Sequence, residues 1–453
     1  MTEGLQRKLG LFPATNIVVA NMIGAGIFTT SGLLMGELNN PLLMLSLWIC
    51  GGVIAFCGAL SYGELGSAMP QAGGEYYFLS KLYHPVLGFL SGWVSFIVGF
   101  SAPIAASAMG FSEYFCRALP AIPNWFETAG FLNPAATGKF LSVSVIIIFT
   151  YIHYNGLKTG TAIQNVLTFL KVGLILLLLL AGFASGNGDA GNFTSGEWVS
   201  PGFAGWKTAG LSLMWIMFAY SGWNASTYIG SEIANPSRIM PRSLMIGTGI
   251  VMMLYLGLNA LFIYAISPAE MKGVISVGGL AMGNLFGKPA EMLVSLLISF
   301  ALFSSLSAFI IIGPRVYYSM ALDGLFFKSV ARIHPRHKVP SNSIVLQCLI
   351  AVILALSGTF DQVLTYMGFA LGIFPILTVL GVFSLRRKKL SVLKLKGYPF
   401  TQVLYIVTGT SILILSFLER PAESVIALGT VLTGIPVYYL FKRKNPQKPA
   451  KTD

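Results

Sequence analysis

The stretch Ile17 to Leu34 reads IVVANMIGAGIFTTSGLL, and the small residues Gly24-Ala25-Gly26 interrupt it near its middle. A second stretch, Leu211 to Ile229, reads LSLMWIMFAYSGWNASTYI and is interrupted by Ser221-Gly222. Each stretch is long enough to cross a bilayer as a helix, and each would lose helical hydrogen bonds at its interruption. Inside a membrane, freed backbone groups are tolerated only where protein or a water-filled cavity satisfies them. Matching interruptions in two halves of a membrane chain therefore indicate a substrate site between them.

The composition is typical of an integral membrane protein. Of 453 residues, 55% are hydrophobic and 10% are charged, whereas about a quarter of the residues in a soluble domain are charged. The apolar runs predict an all-α polytopic membrane protein with about twelve transmembrane helices in one domain covering residues 1–453. The predicted spans are 11–36, 41–63, 84–116, 139–156, 160–185, 203–234, 241–266, 289–321, 342–358, 361–384, 401–418 and 421–441.

The distribution of charge predicts the orientation of the chain. If successive helices alternate across the membrane, most of the 29 Lys and Arg residues fall on the side of the N-terminus. The positive-inside rule then places both termini in the cytoplasm and the helices in the cell membrane. The same bias accounts for the net charge of +13 without nucleic acid. The basic segment 442–453 is predicted to be a disordered cytoplasmic tail.

The chain carries no pattern typical of an enzyme or a metal site. Its four cysteines have no metal-ligand spacing, and neither a phosphate-binding loop nor a pair of catalytic acids is visible. We therefore expect no enzymatic activity, no metal and no cofactor.

The two interruptions fall in the first and sixth predicted helices, which suggests a five-helix repeat. Helices one to five (about 11–185) would match helices six to ten (about 203–384), and helices eleven and twelve (about 401–441) would be additions. An odd number of spans in each repeat makes the second repeat inverted relative to the first.

The interruptions offer backbone partners to a zwitterionic amino acid. A helix N-terminus attracts anions and a helix C-terminus attracts cations, so neither group needs a charged side chain. The candidate partners are the N–H groups of Gly24, Ala25, Gly26 and Ile27 for a carboxylate, and the carbonyls of Ile23, Met217, Phe218 and Ala219 for an ammonium. The alternative is that Gly24 and Gly26 only allow two helices to pack closely.

Three further residues of the second interruption, Ser221, Trp223 and Asn224, are also candidate substrate contacts. Phe218 and Trp223 flank the interruption on either side. They are either packing residues or gates beside the site.

Lys171 lies within the fifth predicted span. A lysine at that depth costs about 3 kcal/mol or more, so it should face the bundle interior and find partners there. Its expected partners are carbonyls freed at the first interruption and the hydroxyls of Ser304, Ser305 and Ser307. There it would act as a fixed cation in the place of a coupling sodium ion. The alternative is that the side chain reaches out to the lipid headgroups.

These stretches resemble a known family. The segment Ile23 to Phe28 (IGAGIF) resembles the first-helix motif of the amino acid–polyamine–organocation (APC) superfamily. The segment Phe218 to Asn224 (FAYSGWN) is similar to the broken sixth helix of its L-type amino acid transporter (LAT) branch. Further similarity is found in 70–76, 232–236, 241–242, 334–335, 339–340 and 434–439, and at Arg315.

The resemblance implies a LeuT-type 5+5 inverted repeat with broken helices one and six, sodium-independent transport and obligatory exchange. It also implies that Lys171 bridges the first and eighth helices, with Ser305 as hydroxyl partner, and that Phe218 is a gate. Animal members of the branch join a glycoprotein subunit through a cysteine between helices three and four. The corresponding loop 119–138 has no cysteine, so we expect a prokaryotic-type relative without a disulfide-linked heavy subunit.

The function predicted from these observations is exchange of neutral L-amino acids, small ones favoured, across a lipid bilayer by alternating access. The nearest alternative is a proton-coupled amino acid symporter in which Lys171 or Glu64 titrates. A channel or a non-transporting receptor is a further alternative.

Overall fold

The computed structural model describes residues 7, 9–155, 157–196, 202–334 and 339–444, without the side chains of 157–167, Arg315, Ser319 and Lys444. The described chain is almost entirely helical, and we number its twelve principal helices α1 to α12. They are α1 Leu11–Leu38, α2 Pro41–Ala68, α3 Pro85–Ala118, α4 Pro134–Tyr154, α5 Leu157–Ala184, α6 Phe203–Ala219 continued by Ala225–Tyr228, α7 Pro236–Ala265, α8 Lys288–Leu322, α9 Ser341–Ser357, α10 Phe360–Arg387, α11 Phe400–Glu419 and α12 Pro421–Lys444.

Each predicted span coincides with one of these helices, which confirms the all-helical polytopic class. Within the described residues, 9 helices are long and apolar enough to cross a membrane by themselves, namely α1 to α4, α7, α8 and α10 to α12. The other three principal helices, α5, α6 and α9, do not meet this length and hydropathy criterion, each for a separate reason. The interruption divides α6, α9 has only 17 residues, and the side chains of α5 are described only from Thr168 onward.

The starts of several helices follow from local sequence. Proline occupies the first position of α2 and α4, where its missing N–H costs nothing. The side chains of Asn40 and Asn133 cap these two helices by accepting the N–H groups of Leu43 and Ala136 at 2.9 and 2.8 Å. Thr359 and Gln362 form a capping box at the start of α10.

Several predicted boundaries are corrected. Helix α2 continues to Ala68 rather than ending at 63, and α7 begins at Pro236 rather than at 241. Helix α4 begins at Pro134 rather than at 139, because Lys139 is accommodated within the helix by donating to the Leu356 carbonyl at 3.0 Å. Helix α12 continues to Lys444, so residues 442–444 are helical and not part of a disordered tail. The remainder of the predicted tail lies outside the described residues.

The bundle pairs helices that correspond in the predicted repeat. Helix α2 packs against α7, and α3 packs against α8. The two interrupted helices, α1 and α6, also contact each other. This arrangement is compatible with an inverted repeat, and the repeat itself stays a prediction.

Short segments connect the long helices. The segment after α2 forms a turn and then a short helix, Glu75–Leu82, that precedes α3. Near the end of α2, Glu64 is fully buried and pairs with Arg386 of α10 at 2.6 Å. The same carboxylate accepts the hydroxyl of Ser391, so it ties the α10–α11 connection to α2.

Candidate functional site

The first interruption separates two helical halves of α1. The first half ends at Met22 and the second begins at Ala25, while Gly24 is extended with φ −124° and ψ −157°. None of the described side chains caps the start of the second half. Its first backbone N–H groups therefore form an uncapped helix N-terminus, which is a favourable environment for an anion.

Lys171 of α5 reaches the first interruption. Its side chain is 0% exposed, so it does not extend to a membrane surface. The ammonium donates to the Ile23 carbonyl, and it lies 3.3 Å from the Ala20 carbonyl and 3.3 Å from Ser305 Oγ of α8. Ser305 Oγ also donates to the Ile23 carbonyl at 3.3 Å. The ammonium thus connects α1, α5 and α8.

The other predicted hydroxyl partners of Lys171 behave differently. Ser307 pairs with the His153 ring at 2.9 Å instead of with Lys171. Ser304 is buried beside Ser305, whereas the ammonium of Lys171 contacts Ala20, Ile23 and Ser305. Of the three candidate hydroxyls, Ser305 is the one within reach of the ammonium.

The second interruption is a tight turn between the two parts of α6. The first part ends at Ala219, and the second spans Ala225–Tyr228. Gly222 has φ +95°, a conformation that only glycine adopts without strain. A Cβ at Gly222 would lie 2.8 Å from the carbonyl carbon of Asn21, so the turn rests directly on the first half of α1.

The two interrupted helices also touch at Gly26. A Cβ at this position would lie 2.5 Å from the Cα of Ala219. The missing side chain of Gly26 lets α1 approach the backbone of α6, as the close-packing alternative predicts, and substrate contact by the Gly26 N–H stays a prediction. Gly24 is different, since a Cβ there would meet Ser305 Oγ at an ordinary 3.6 Å.

Tyr255 of α7 joins the two interruptions through one hydroxyl group. The hydroxyl lies 2.6 Å from the Met22 carbonyl and 3.0 Å from the Ala219 carbonyl. These carbonyls are the C-terminal ends of the first half of α1 and the first part of α6. The ring is 0% exposed and packs against Trp48 and Tyr220 at 5.6 and 5.1 Å. Sequence reasoning missed Tyr255, because nothing in its local sequence marks it.

Several of the carbonyls predicted to hold a substrate ammonium already have protein partners. Ile23 accepts from Lys171 and Ser305, and Ala219 accepts from Tyr255. The Phe218 carbonyl accepts the N–H of Ser221 at 2.8 Å. In this conformation, protein donors occupy the positions where a free cation would otherwise bind.

A cavity of about 170 Å³ lies beside the second interruption. The first half of α1 contributes Ile17 and Asn21 to its wall, and α8, α10 and α11 close other sides. Helix α3 contributes a π-helical turn, Ser95–Gly99, which widens the helix where it faces the cavity. Pro103, four residues after Gly99, is the local sequence signal for this distortion, since it provides no N–H for the Gly99 carbonyl.

The structure brings some of the predicted site residues to this cavity and leaves others away from it. Those that line it are Met217, Phe218, Ser221, Trp223 and Asn224. The residues around the first interruption (Ile23, Gly24, Ala25, Gly26 and Ile27) and Ala219 are not in its wall. Helix α1 contributes residues from before its interruption instead. Substrate contact by any of these residues stays a prediction.

The two aromatic residues beside the interruption have different surroundings. Phe218 stands in the last turn before the interruption, is 8% exposed and lines the cavity. The Trp223 ring packs edge-on against Tyr62 at 4.7 Å and near Tyr405 at 6.0 Å. Trp223 therefore anchors the turn to α2 and α11, whereas Phe218 borders open space.

Glu75 is a functional candidate that sequence reasoning missed. Its carboxylate lines the cavity and accepts the hydroxyl of Tyr62 at 2.7 Å and the amide of Asn224 at 2.9 Å. Burial raises the pKa of this carboxyl, and the two donors partly oppose that rise. The positive φ of Gly73 and Gly74, which turn the chain just before the acid, is the sequence signal that marks the position.

Among the described residues, no group of three or more His, Cys, Asp or Glu side chains is placed to hold a metal ion. The site is therefore made of backbone groups, hydroxyls, one ammonium and one carboxylate. Such a site can bind and release a small polar molecule, and alternate exposure of the cavity would carry that molecule across a membrane.

Comparison with known proteins agrees with this architecture. The family model for amino acid permeases matches residues 9–436. The b(0,+)-type amino acid transporter 1 of Mus musculus is 27% identical over 448 residues, covering 97% of this chain and 89% of the relative. The Asc-type amino acid transporter 1 of Mus musculus is 26% identical, covering 98% and 83% of the two chains. The large neutral amino acids transporter small subunit 2 of Mus musculus is 26% identical, covering 96% and 81%.

These relatives are LAT-type amino acid transporters, and the similarity extends over nearly the whole chain. The family match includes both interrupted helices and Lys171. The chain belongs to the amino acid permease family of the APC superfamily and is a multi-pass membrane protein of amino acid transport.

Proposed function

We propose that this protein is a sodium-independent, obligatory exchanger of neutral L-amino acids that works by alternating access. The observation that carries this proposal is the buried ammonium of Lys171 on the carbonyls of the interrupted α1. A sodium ion bound at this point would need the same carbonyl oxygens. Because a fixed cation occupies them, substrate binding does not have to recruit an ion from solution.

Cavity size and local charge support small neutral substrates. The cavity of about 170 Å³ is smaller than the roughly 300–1,000 Å³ of pockets that hold drug-sized ligands. Neither interruption carries a charged side chain in its own sequence. A small zwitterion can therefore be held through backbone groups at the helix ends.

We place the exchanger in the plasma membrane with both termini in the cytoplasm, because basic residues cluster on one side of the alternating helices. We also propose that it works without a disulfide-linked subunit. The loop 119–138 contains no cysteine that could form such a link.

Proton-coupled symport is the second candidate, and Glu75 favours it. Its buried carboxyl borders the cavity and has a raised pKa, so it could carry a proton with the substrate. Glu64 is less suited to that role, because Arg386 neutralises it at 2.6 Å.

The experiment is uptake of radiolabelled L-alanine into proteoliposomes of the purified protein in sodium-free buffer. Exchange predicts rapid uptake into vesicles preloaded with unlabelled L-alanine and little uptake into empty vesicles or vesicles preloaded with L-glutamate. Equal uptake into empty and preloaded vesicles would contradict obligatory exchange. Net uptake into empty vesicles that requires an inward proton gradient would favour the symporter instead.

A further inference from the structure

One acidic side chain stands in the wall of the cavity. Among the described residues that line it, Glu75 is the one with a formal charge, and the others are apolar, aromatic, hydroxyl or amide side chains. A buried charge is screened poorly by water, and Glu75 is buried. A single uncompensated charge of this kind discriminates between ligands of different net charge.

The hydrogen-bond partners of Glu75 are neutral. The residue is 7% exposed, and it accepts from Tyr62, Asn224 and Tyr228 at 2.7, 2.9 and 3.5 Å. Tyr405 of α11 is a further neutral neighbour. Within the described part of the chain, no ion pair joins Glu75 to a basic residue. A carboxylate has about four acceptor positions, so Glu75 can receive another donor.

Glu75 stands close to the second interruption. Asn224, whose amide contacts the carboxylate, follows Ser221-Gly222 directly in the turn and lines the same cavity. Glu75 also begins a short helix, Glu75–Leu82, whose N-terminal end favours negative charge. If a ligand binds at the interruption, its own short side chain can therefore reach the Glu75 carboxylate.

We propose that the Glu75 carboxylate accepts a side-chain ammonium, so that short diamino acids such as L-2,4-diaminobutyrate are substrates of this transporter. The inference rests on the proposed function and extends its substrate class from neutral amino acids to short cationic ones. The same carboxylate repels the side chains of acidic amino acids.

Charge compensation and size both favour this ligand class. Burying an ammonium without a counter-charge is strongly unfavourable, and Glu75 provides that counter-charge. The carboxylate is already desolvated by folding, so pairing removes an unbalanced buried charge as the ligand binds. The cavity of about 170 Å³ favours a ligand with a short side chain.

The test compares two inhibitors of radiolabelled L-alanine exchange in proteoliposomes. One is L-2,4-diaminobutyrate, and the other is L-norvaline, its uncharged isostere. In the parent protein both should inhibit. Glu75→Gln should raise the ratio of the diaminobutyrate to the norvaline inhibition constant by about tenfold or more, because an amide cannot compensate the ammonium.

The control is Glu127→Gln, the same chemical change on the exposed short helix Ala121–Thr128 outside the cavity. It should leave the ratio at the parent value. If Glu75→Gln exchanges no L-alanine, the proposal is tested instead by the thermal stabilisation that each ligand gives to the detergent-solubilised parent. Diaminobutyrate should then stabilise the parent at least as strongly as norvaline, and stabilisation by norvaline alone would overturn the proposal.

Two results of the exchange assay also overturn it. In the first, diaminobutyrate fails to inhibit the parent while norvaline does. In the second, Glu75→Gln leaves the inhibitor ratio unchanged; if that variant also loses a pH dependence of L-alanine exchange, the carboxyl binds a proton instead. Both results leave exchange intact and contradict only the role of Glu75, whereas a parent that exchanges no L-alanine contradicts the proposed function itself.

Discussion

At the scale of single residues, we propose that the ammonium of Lys171 takes the place that a mobile cation would hold. It contacts two carbonyls of α1 and the hydroxyl of Ser305, and it is fully buried. Lys171→Met keeps the apolar length of the side chain but leaves these acceptors unpaired, at about 1–3 kcal/mol for each buried group. We expect the L-alanine exchange rate to fall about tenfold or more.

The control for that variant is Lys207→Met, which makes the same change at a partly exposed residue paired with Glu419. It should exchange at the parent rate. If Lys171→Met also exchanges at the parent rate with unchanged apparent affinity on both membrane faces, Lys171 does not couple α1 to α8.

Tyr255 makes a comparable connection with a neutral group. Tyr255→Phe removes the hydroxyl shared by the Met22 and Ala219 carbonyls but keeps the ring between its aromatic neighbours. We expect exchange to slow and the thermal unfolding midpoint in detergent to fall, because buried acceptors lose about 1–3 kcal/mol when left unpaired. Tyr264→Phe, on the same helix outside the site, should change neither quantity. Normal exchange by Tyr255→Phe would show that the two interruptions do not depend on this hydroxyl.

Phe218 lines the cavity and carries a large aromatic side chain. Phe218→Ala should reduce the turnover number more than the equilibrium affinity for L-alanine, because a gate acts on the rate of closure. The two quantities can be measured by exchange kinetics and by ligand-induced thermal stabilisation. Phe203→Ala, an exposed position on the same helix, is the control. A large loss of affinity with normal turnover per bound substrate would assign Phe218 to binding instead.

At the scale of helices, the two interruptions depend on close contact between α1 and α6. Gly26→Ala would place a Cβ 2.5 Å from the Ala219 Cα. Overpacking of this kind costs about 1–3 kcal/mol, so both the thermal midpoint and the exchange rate should fall. Gly249→Ala is the matched control, because a Cβ there meets nothing within 4 Å. Gly26→Ala with parent stability would contradict this contact.

This contact also limits how Gly26 can be used to locate the substrate. A large side chain at Gly26 would separate the helices before it reached any substrate carboxylate. Loss of transport in such a variant would therefore report helix packing and would not identify a binding position. Contact between the substrate and the backbone N–H groups near Gly26 has to be tested by a direct measurement of where the substrate binds.

The sequence was sufficient to locate the helices and both interruptions. Helix position depends on local hydropathy, and the interruptions depend on small residues such as Gly24 and Gly222, so both can be read from short segments. The contact of Lys171 with Ser305 was expected, because an intramembrane lysine needs buried partners and the family resemblance indicated which hydroxyl. The roles of these residues in transport stay predictions.

Other parts of the site depend on contacts between distant segments. Glu75 and Asn224 are 149 residues apart in the chain, and the hydroxyl of Tyr255 meets α1 from a distance of 233 residues. Tyr255 has no local pattern that distinguishes it from an ordinary helix residue, and the glycines before Glu75 indicate a turn but not a buried acid. Only the packing of the whole bundle brings them to the interruptions, so sequence reasoning from local patterns did not find them.

At the scale of the whole molecule, two side chains from α5 and α7 hold the carbonyl ends of both interrupted helices. On the proposal made above, these donors act at the carbonyls where a sodium-coupled transporter would bind its ion. Substrate exchange should then be complete without sodium, because protein donors contact the Met22, Ile23 and Ala219 carbonyls.

The most direct test is the rate of L-alanine exchange by the parent protein in preloaded proteoliposomes, measured in sodium chloride and in choline chloride at equal ionic strength. We predict equal rates in the two salts and no change when sodium is added to either side of the membrane. Exchange that appears only in sodium chloride would contradict the account.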